Sequence, residues 1–98
     1  MQLDEIQALS LSEKKSLLER TVKLQEEAGE LAEQVLIANR SSGSQYKKKK
    51  LHAIKEEAAD IVLVALSIFF LEGGTPEEFE RAVKKKCAKW KRKRSLRT

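Results

Sequence analysis

Cysteine, proline and glycine are scarce in this chain, and each shortage excludes something. The single thiol, Cys87, rules out an internal disulfide and fits a reducing compartment, so a cytoplasmic location is expected. Lys84, Lys85, Lys86 and Lys89 surround it and would favour the thiolate, although a bystander thiol is the simpler reading. One proline and four glycines leave few breaks in the backbone, which favours helices, and no segment reads as a strand. Long apolar runs are missing too. The uncharged stretch from Ile61 to Leu71 is too short to cross a bilayer, so no membrane partner is expected. The start, Met1-Gln2-Leu3-Asp4-Glu5, has no basic region, apolar stretch or cleavage site, so no export signal is expected.

Acidic residues are absent from the carboxyl end. Residues 84–98 hold nine Lys or Arg and no acid, which leaves 11 basic against 15 acidic side chains in everything before Lys84, a balance of −4. Residues 1–90 are assigned to one helical domain and residues 91–98 to a basic tail. Such a block is either a solvated, frayed helix end or a polyanion-binding element. Hydrophobic content of 41% beside 36% charged residues fits a soluble helical protein. A domain of this size buries only a modest share of its surface, yet Ile61–Leu71 is apolar on nearly every side. A homo-oligomer, dimer or tetramer, is therefore expected.

Four helical segments are predicted, giving an all-α four-helix bundle. A short one lies around Leu3 to Ala8. A capping-box match at Ser10 and Glu13 opens a long helix from about Leu11 to Ala38, with an apolar stripe of Leu17, Leu24, Ala28, Leu31, Val35 and Ala38. Residues 39–45 have turn composition. The third helix runs from about Lys48 to Glu72 and ends at Gly73-Gly74. Thr75-Pro76-Glu77-Glu78 then caps a last helix whose apolar face comprises Phe79, Ala82, Val83, Cys87 and Trp90.

What the chain has in abundance is paired acid. Glu27 and Glu30 stand three residues apart on one helix, and Glu57 and Asp60 repeat the spacing at the mouth of the uncharged segment. An ionised carboxylate entering an apolar core is costly unless a cation or donors receive it. If the two helices pack face to face, four carboxylates converge. Oxygen-only clusters of this kind suit hard cations such as Mg2+, which keep waters and substrate phosphates as further ligands.

The strings Lys23-Leu24-Gln25-Glu26-Glu27-Ala28-Gly29-Glu30 and Glu56-Glu57-Ala58-Ala59-Asp60, with the stretch from Leu31 to Glu56 as the spacer between Glu30 and Glu57, resemble the EExxE, spacer, ExxD pattern of the MazG-like all-α nucleoside triphosphate pyrophosphohydrolases. That superfamily also takes in dimeric dUTPases and phosphoribosyl-ATP pyrophosphatases. The resemblance covers about Leu17 to Trp90. It implies cleavage of a (deoxy)nucleoside triphosphate between the α and β phosphates, with Mg2+, or Mn2+ in its place, held by Glu27, Glu30, Glu57 and Asp60. Glu26 or Glu27 would polarise the attacking water. Lys23 would orient phosphate or carboxylate, or simply pair with Glu27. The run containing Lys47, Lys48 and Lys50 is a solvated face or a phosphate contact, and Tyr46 either stacks on a base or packs on the loop. His52 reads as an ordinary surface or interface histidine.

At the carboxyl end Lys89-Trp90 stands where relatives often carry a lysine followed by asparagine. With Lys86, these residues are the substrate-contact candidates there, Trp90 either stacking on a nucleobase or anchoring packing. The expected role is removal of unwanted nucleotides from the pool. A nucleic-acid-binding helical protein using the tail and an inert oligomerisation module are the alternatives. Nucleic acid is disfavoured because the basic block is terminal rather than on a folded face.

Overall fold

The computed structural model describes residues 2–40 and 52–97. Within them lie four helices, α1 (Leu3–Ser12), α2 (Leu17–Ala38), α3 (Ala53–Leu71) and α4 (Pro76–Arg97), and no strand. The all-α expectation holds. Most of the expected loop, together with Tyr46, Lys47, Lys48 and Lys50, lies outside the described residues.

The first helical boundary falls elsewhere than the sequence reading put it. The capping box that opens α2 is formed by Ser16 and Glu19, not by Ser10 and Glu13. The Glu19 N–H donates to Ser16 Oγ at 3.1 Å, and the Ser16 N–H donates to Glu19 Oε1 at 3.1 Å. Ser10 is occupied inside α1, where its hydroxyl donates to the Ile6 carbonyl at 2.6 Å. Both serines match S-x-x-E, and a buried arginine decides between them. Arg20 donates to the carbonyls of Lys15 (2.9 Å), Ser10 (2.8 Å), Glu13 (3.0 Å) and, across on α3, Ser67 (3.0 Å). Three of those oxygens lie in the last turn of α1 and the turn after it, where unpaired carbonyls carry the negative end of the helix dipole. A guanidinium 3% exposed is thus satisfied by backbone oxygens alone, and the chain must break at residues 13–16 to wrap it.

Arg20 also corrects the expected stripe on α2. The buried residues are Arg20, Glu27 and Ile37, with Leu24, Leu31, Gln34 and Ala38 half-buried, while Leu17, Ala28 and Val35 of the expected stripe are exposed. The inward face mixes apolar residues with two charged ones, and each charged one meets a polar group of α3: Arg20 the Ser67 carbonyl, Glu27 the carboxylates of Glu57 and Asp60. The two helices are antiparallel: Arg20 meets Ser67 near the end of α3, whereas Glu27 meets Glu57 and Asp60 near its start.

α3 starts later than the predicted Lys48. His52 is its N-cap in the left-handed conformation, φ 63°, so no helix runs through this position. Its end matches the sequence reading. The Gly73 N–H donates to the Phe70 carbonyl and the Gly74 N–H to the Phe69 carbonyl, the paired closure of a Schellman motif, with Gly73 at φ 92°. A Cβ on Gly74 would run into the Phe69 ring. Thr75 caps α4: its hydroxyl accepts the Glu78 N–H at 3.1 Å and donates to Glu78 Oε1 at 3.2 Å.

The core is small and sits where α1, α3 and α4 meet. Leu3, Leu66 and Phe70 are buried there with Ile6, Phe69 and Phe79 against them. Phe69 makes edge-to-face contacts with both Phe70 (5.6 Å) and Phe79 (5.4 Å). α3 is otherwise less covered than its sequence demands, with Val62 and Leu63 each about half exposed. α4 touches the rest of the chain near its start and then projects. The radius of gyration is 16.7 Å, against about 13 Å for a compact chain of about 100 residues.

Candidate active site

The antiparallel pairing of α2 and α3 brings three of the four predicted acids together. Glu27, Glu57 and Asp60 each place a carboxylate oxygen within 4.8 Å of the others. Glu27 is buried, Glu57 half-buried and Asp60 exposed, so the cluster grades from the helix interface to solvent. Glu30, one turn beyond Glu27, falls outside this group of three, but it acts on Glu27 as a hydrogen-bonding neighbour and on Glu57 through its charge.

The two central glutamates are driven apart in proton affinity. Lys23 Nζ lies 2.9 Å from Glu27 Oε1, and this contact is the main reason the Glu27 carboxyl is held below the usual range. The same pairing raises Lys23. Glu57 has no such cation. The facing Glu27 carboxylate, then burial, then the charges of Glu30, Glu27 and Asp60 push it up to about 7. Two oxygens, Glu27 Oε2 and Glu57 Oε2, are buried without a hydrogen-bond partner. Buried carboxylate oxygens without a donor are costly once both groups are ionised, and they fit a cation. The donor set contains only carboxylate oxygen, which suits a hard divalent ion.

The remaining candidates are dispersed. Glu26 is exposed beside the cluster. Lys86 and Trp90 line an open, almost wholly apolar groove of about 460 Å³ with Phe69, Phe79 and Val83, and Lys89 is exposed nearby on α4. Phe69 lies nine residues beyond Asp60 on α3, about 13 Å along the axis, so α4 sits at the opposite end of α3 from the acids. No α4 lysine is among the groups that shift Glu27 or Glu57. Arg20 is the residue that sequence reasoning missed. Its signal was the seven-residue spacing to Glu27, two turns along the same face, matched by Asp60 and Ser67 on α3.

The EExxE and ExxD strings thus lie on two helices that aim their acids at one another. The MazG nucleotide pyrophosphohydrolase domain model matches residues 13–97, most of the chain, and the protein belongs to that family. No curated protein and no solved structure matches the chain. None of the helices in the described residues is long and apolar enough to cross a membrane.

Proposed function

We propose that the protein is a Mg2+-dependent nucleotide pyrophosphohydrolase that cleaves (deoxy)nucleoside triphosphates to monophosphate and pyrophosphate. On this reading it clears unwanted nucleotides from the cytoplasmic pool. The observation that carries the proposal is the three-carboxylate cluster with its two orphaned buried oxygens, in a chain of the MazG family.

Glu27, Glu57 and Asp60 would hold the ion, with Glu30 completing the negative field. Mg2+, or Mn2+ in its place, would supply charge neutralisation for the triphosphate and acidify bound water. The Lys23 contact keeps Glu27 ionised and fixed in orientation, which suits a ligand and makes it a poor base. Glu26, exposed one residue away, is then the better group to orient the attacking water and take its proton. The water oxygen bonds to the α phosphorus as the bond to the bridging oxygen breaks, and that oxygen leaves on pyrophosphate.

A homo-oligomer is part of this reading, supported by unfilled apolar surface. Among the described residues 13 large hydrophobic side chains are exposed and five hydrophobic residues are buried. Lys86, Lys89 and Trp90 would meet substrate only if a second copy brings them to the acids. Lys47, Lys48 and Lys50, a basic run that the sequence puts just before the second acidic motif, stay as phosphate candidates.

The test is a panel of common and modified nucleoside triphosphates hydrolysed with Mg2+ in 18O-labelled water. Pyrophosphate should appear without orthophosphate, with the label in the monophosphate. Orthophosphate as the first product would contradict the proposal, since a different bond would then be cut.

A further inference from the structure

α4 does not fray where its apolar face ends. The helix continues through Arg97, and residues 84–96 are all exposed. Lys91, Arg92, Lys93 and Arg94 are consecutive, and consecutive helical residues sit about 100° apart, so four cations occupy every side of one turn. No ion pair engages residues 84–94 among the described residues. A terminal basic block counts against nucleic acid only while it is a frayed tail; an exposed continuous helix removes that ground.

Three occupants compete for such a helix. A membrane surface needs an apolar face, and beyond Trp90 the only apolar side chain is Leu96. A second copy concentrates its acids at Glu27, Glu57 and Asp60, a patch small enough to be met by Lys86 and Lys89 but too small to cover Lys91 to Arg94 as well, which lie on every side of the next turn. Double-stranded DNA carries one charge per about 1.7 Å of axis. Lys84 to Arg97 spans about 21 Å, so its cations come about every 2.3 Å, close to the spacing of duplex phosphates. A helix about 10–12 Å across also enters a major groove about 12 Å wide, whose two walls present phosphates to cations on opposite sides.

We infer that the carboxyl half of α4 binds the phosphate backbone of duplex DNA, without base specificity. Trp90, 70% exposed at the start of this half, sits where it reports the contact.

The experiment is anisotropy of a labelled 20-base-pair duplex titrated with the full chain at 50 and 200 mM KCl, with Trp90 fluorescence in parallel. The wild type should lose affinity about 500-fold between the two salts, the response for about five neutralised phosphates. The variant K91Q/R92Q/K93Q/R94Q keeps good helix formers; it should bind at least 50-fold more weakly at 50 mM and lose only about tenfold on adding salt. Its pyrophosphate release should stay within twofold of wild type. No anisotropy change at 50 mM KCl and 50 μM protein, or equal binding by the variant, would overturn the inference. So would tighter binding to phosphatidylserine vesicles at equal phosphate concentration, which would assign the helix to a membrane surface. Dissociation of the quadruple variant into monomers would assign it to a second copy.

Discussion

Glu57 is the side chain whose protonation says most about the site. Its carboxyl is pushed up to about 7, above the ordinary value of 4.5, so the folded, metal-free protein holds a proton there that the unfolded chain releases. The stability this proton supports is complete below about pH 4.5 and is lost as pH rises towards 7. Glu27 works in the opposite sense: held low by Lys23, it contributes above the ordinary carboxylate range and loses that contribution as pH falls. Replacing Glu57 by Gln imitates the protonated form. Thermal unfolding in EDTA should therefore show the wild type losing stability between pH 5 and 7.5 while E57Q stays nearly flat, and Mg2+ should stabilise only the wild type at pH 8. Parallel curves for the two proteins would show that Glu57 is not strained by its neighbours. None of this was legible from spacing, which gave the four acids equal standing. The asymmetry comes from where Lys23 lands, one turn before Glu27 and out of reach of Glu57.

Among the elements, the α2–α3 pair holds the proposed site, and Arg20 ties the two helices together at their far end. Arg20 to Glu27 and Asp60 to Ser67 are both two-turn intervals, so the guanidinium on the Ser67 carbonyl lies about 10 Å along the axis from the acids on the same faces. Lysine keeps the charge but lacks the fork that reaches four carbonyls. Arg20→Lys should cost about 2 kcal/mol in denaturant unfolding, the scale of one charged hydrogen bond lost with partial rescue of the rest. A cost below about 0.5 kcal/mol would mean that apolar packing alone fixes the register. Helix identities were readable because Gly73-Gly74 and Thr75-Pro76 are local signals that act where they stand. The break at residues 13–16 was not, since two S-x-x-E strings compete locally and a contact 47 residues away, Arg20 to Ser67, selects one. The α2 stripe was legible only in part: Leu24, Leu31 and Ala38 do turn inward, but periodicity finds apolar residues and misses Arg20 and Glu27, the polar ones that share their face.

For the molecule as a whole, the imbalance between a core of few residues and the bare flanks of α2, α3 and α4 is the ground for the proposed oligomer. Val62 and Leu63 on α3, Leu18 and Val22 on α2, and the groove beside Trp90 are all open. Sedimentation at micromolar concentration should show an oligomer, and Leu63→Glu should shift it towards monomer by placing a charge in desolvated apolar contact. A wild-type monomer at that concentration would leave these side chains in water and remove the route by which α4 residues reach the acids. The apolar character of Ile61–Leu71 made this expectation visible in the sequence; which flank meets the partner depends on packing between chains, which one sequence does not encode locally.

The central claim is that Glu27, Glu57 and Asp60 form one divalent-cation site, and a Mn2+ titration followed by electron paramagnetic resonance tests it most directly. At pH 8 the wild type should bind Mn2+ with Mg2+ competing for the same site, while Glu57→Gln and Asp60→Asn, both folded, should each bind at least tenfold more weakly, the loss expected when an anionic ligand is neutralised. At pH 6 wild-type binding should weaken and release a proton, because Glu57 must ionise first. Equal Mn2+ affinity in all three proteins would contradict the account and return the acids to the status of helix-surface charges.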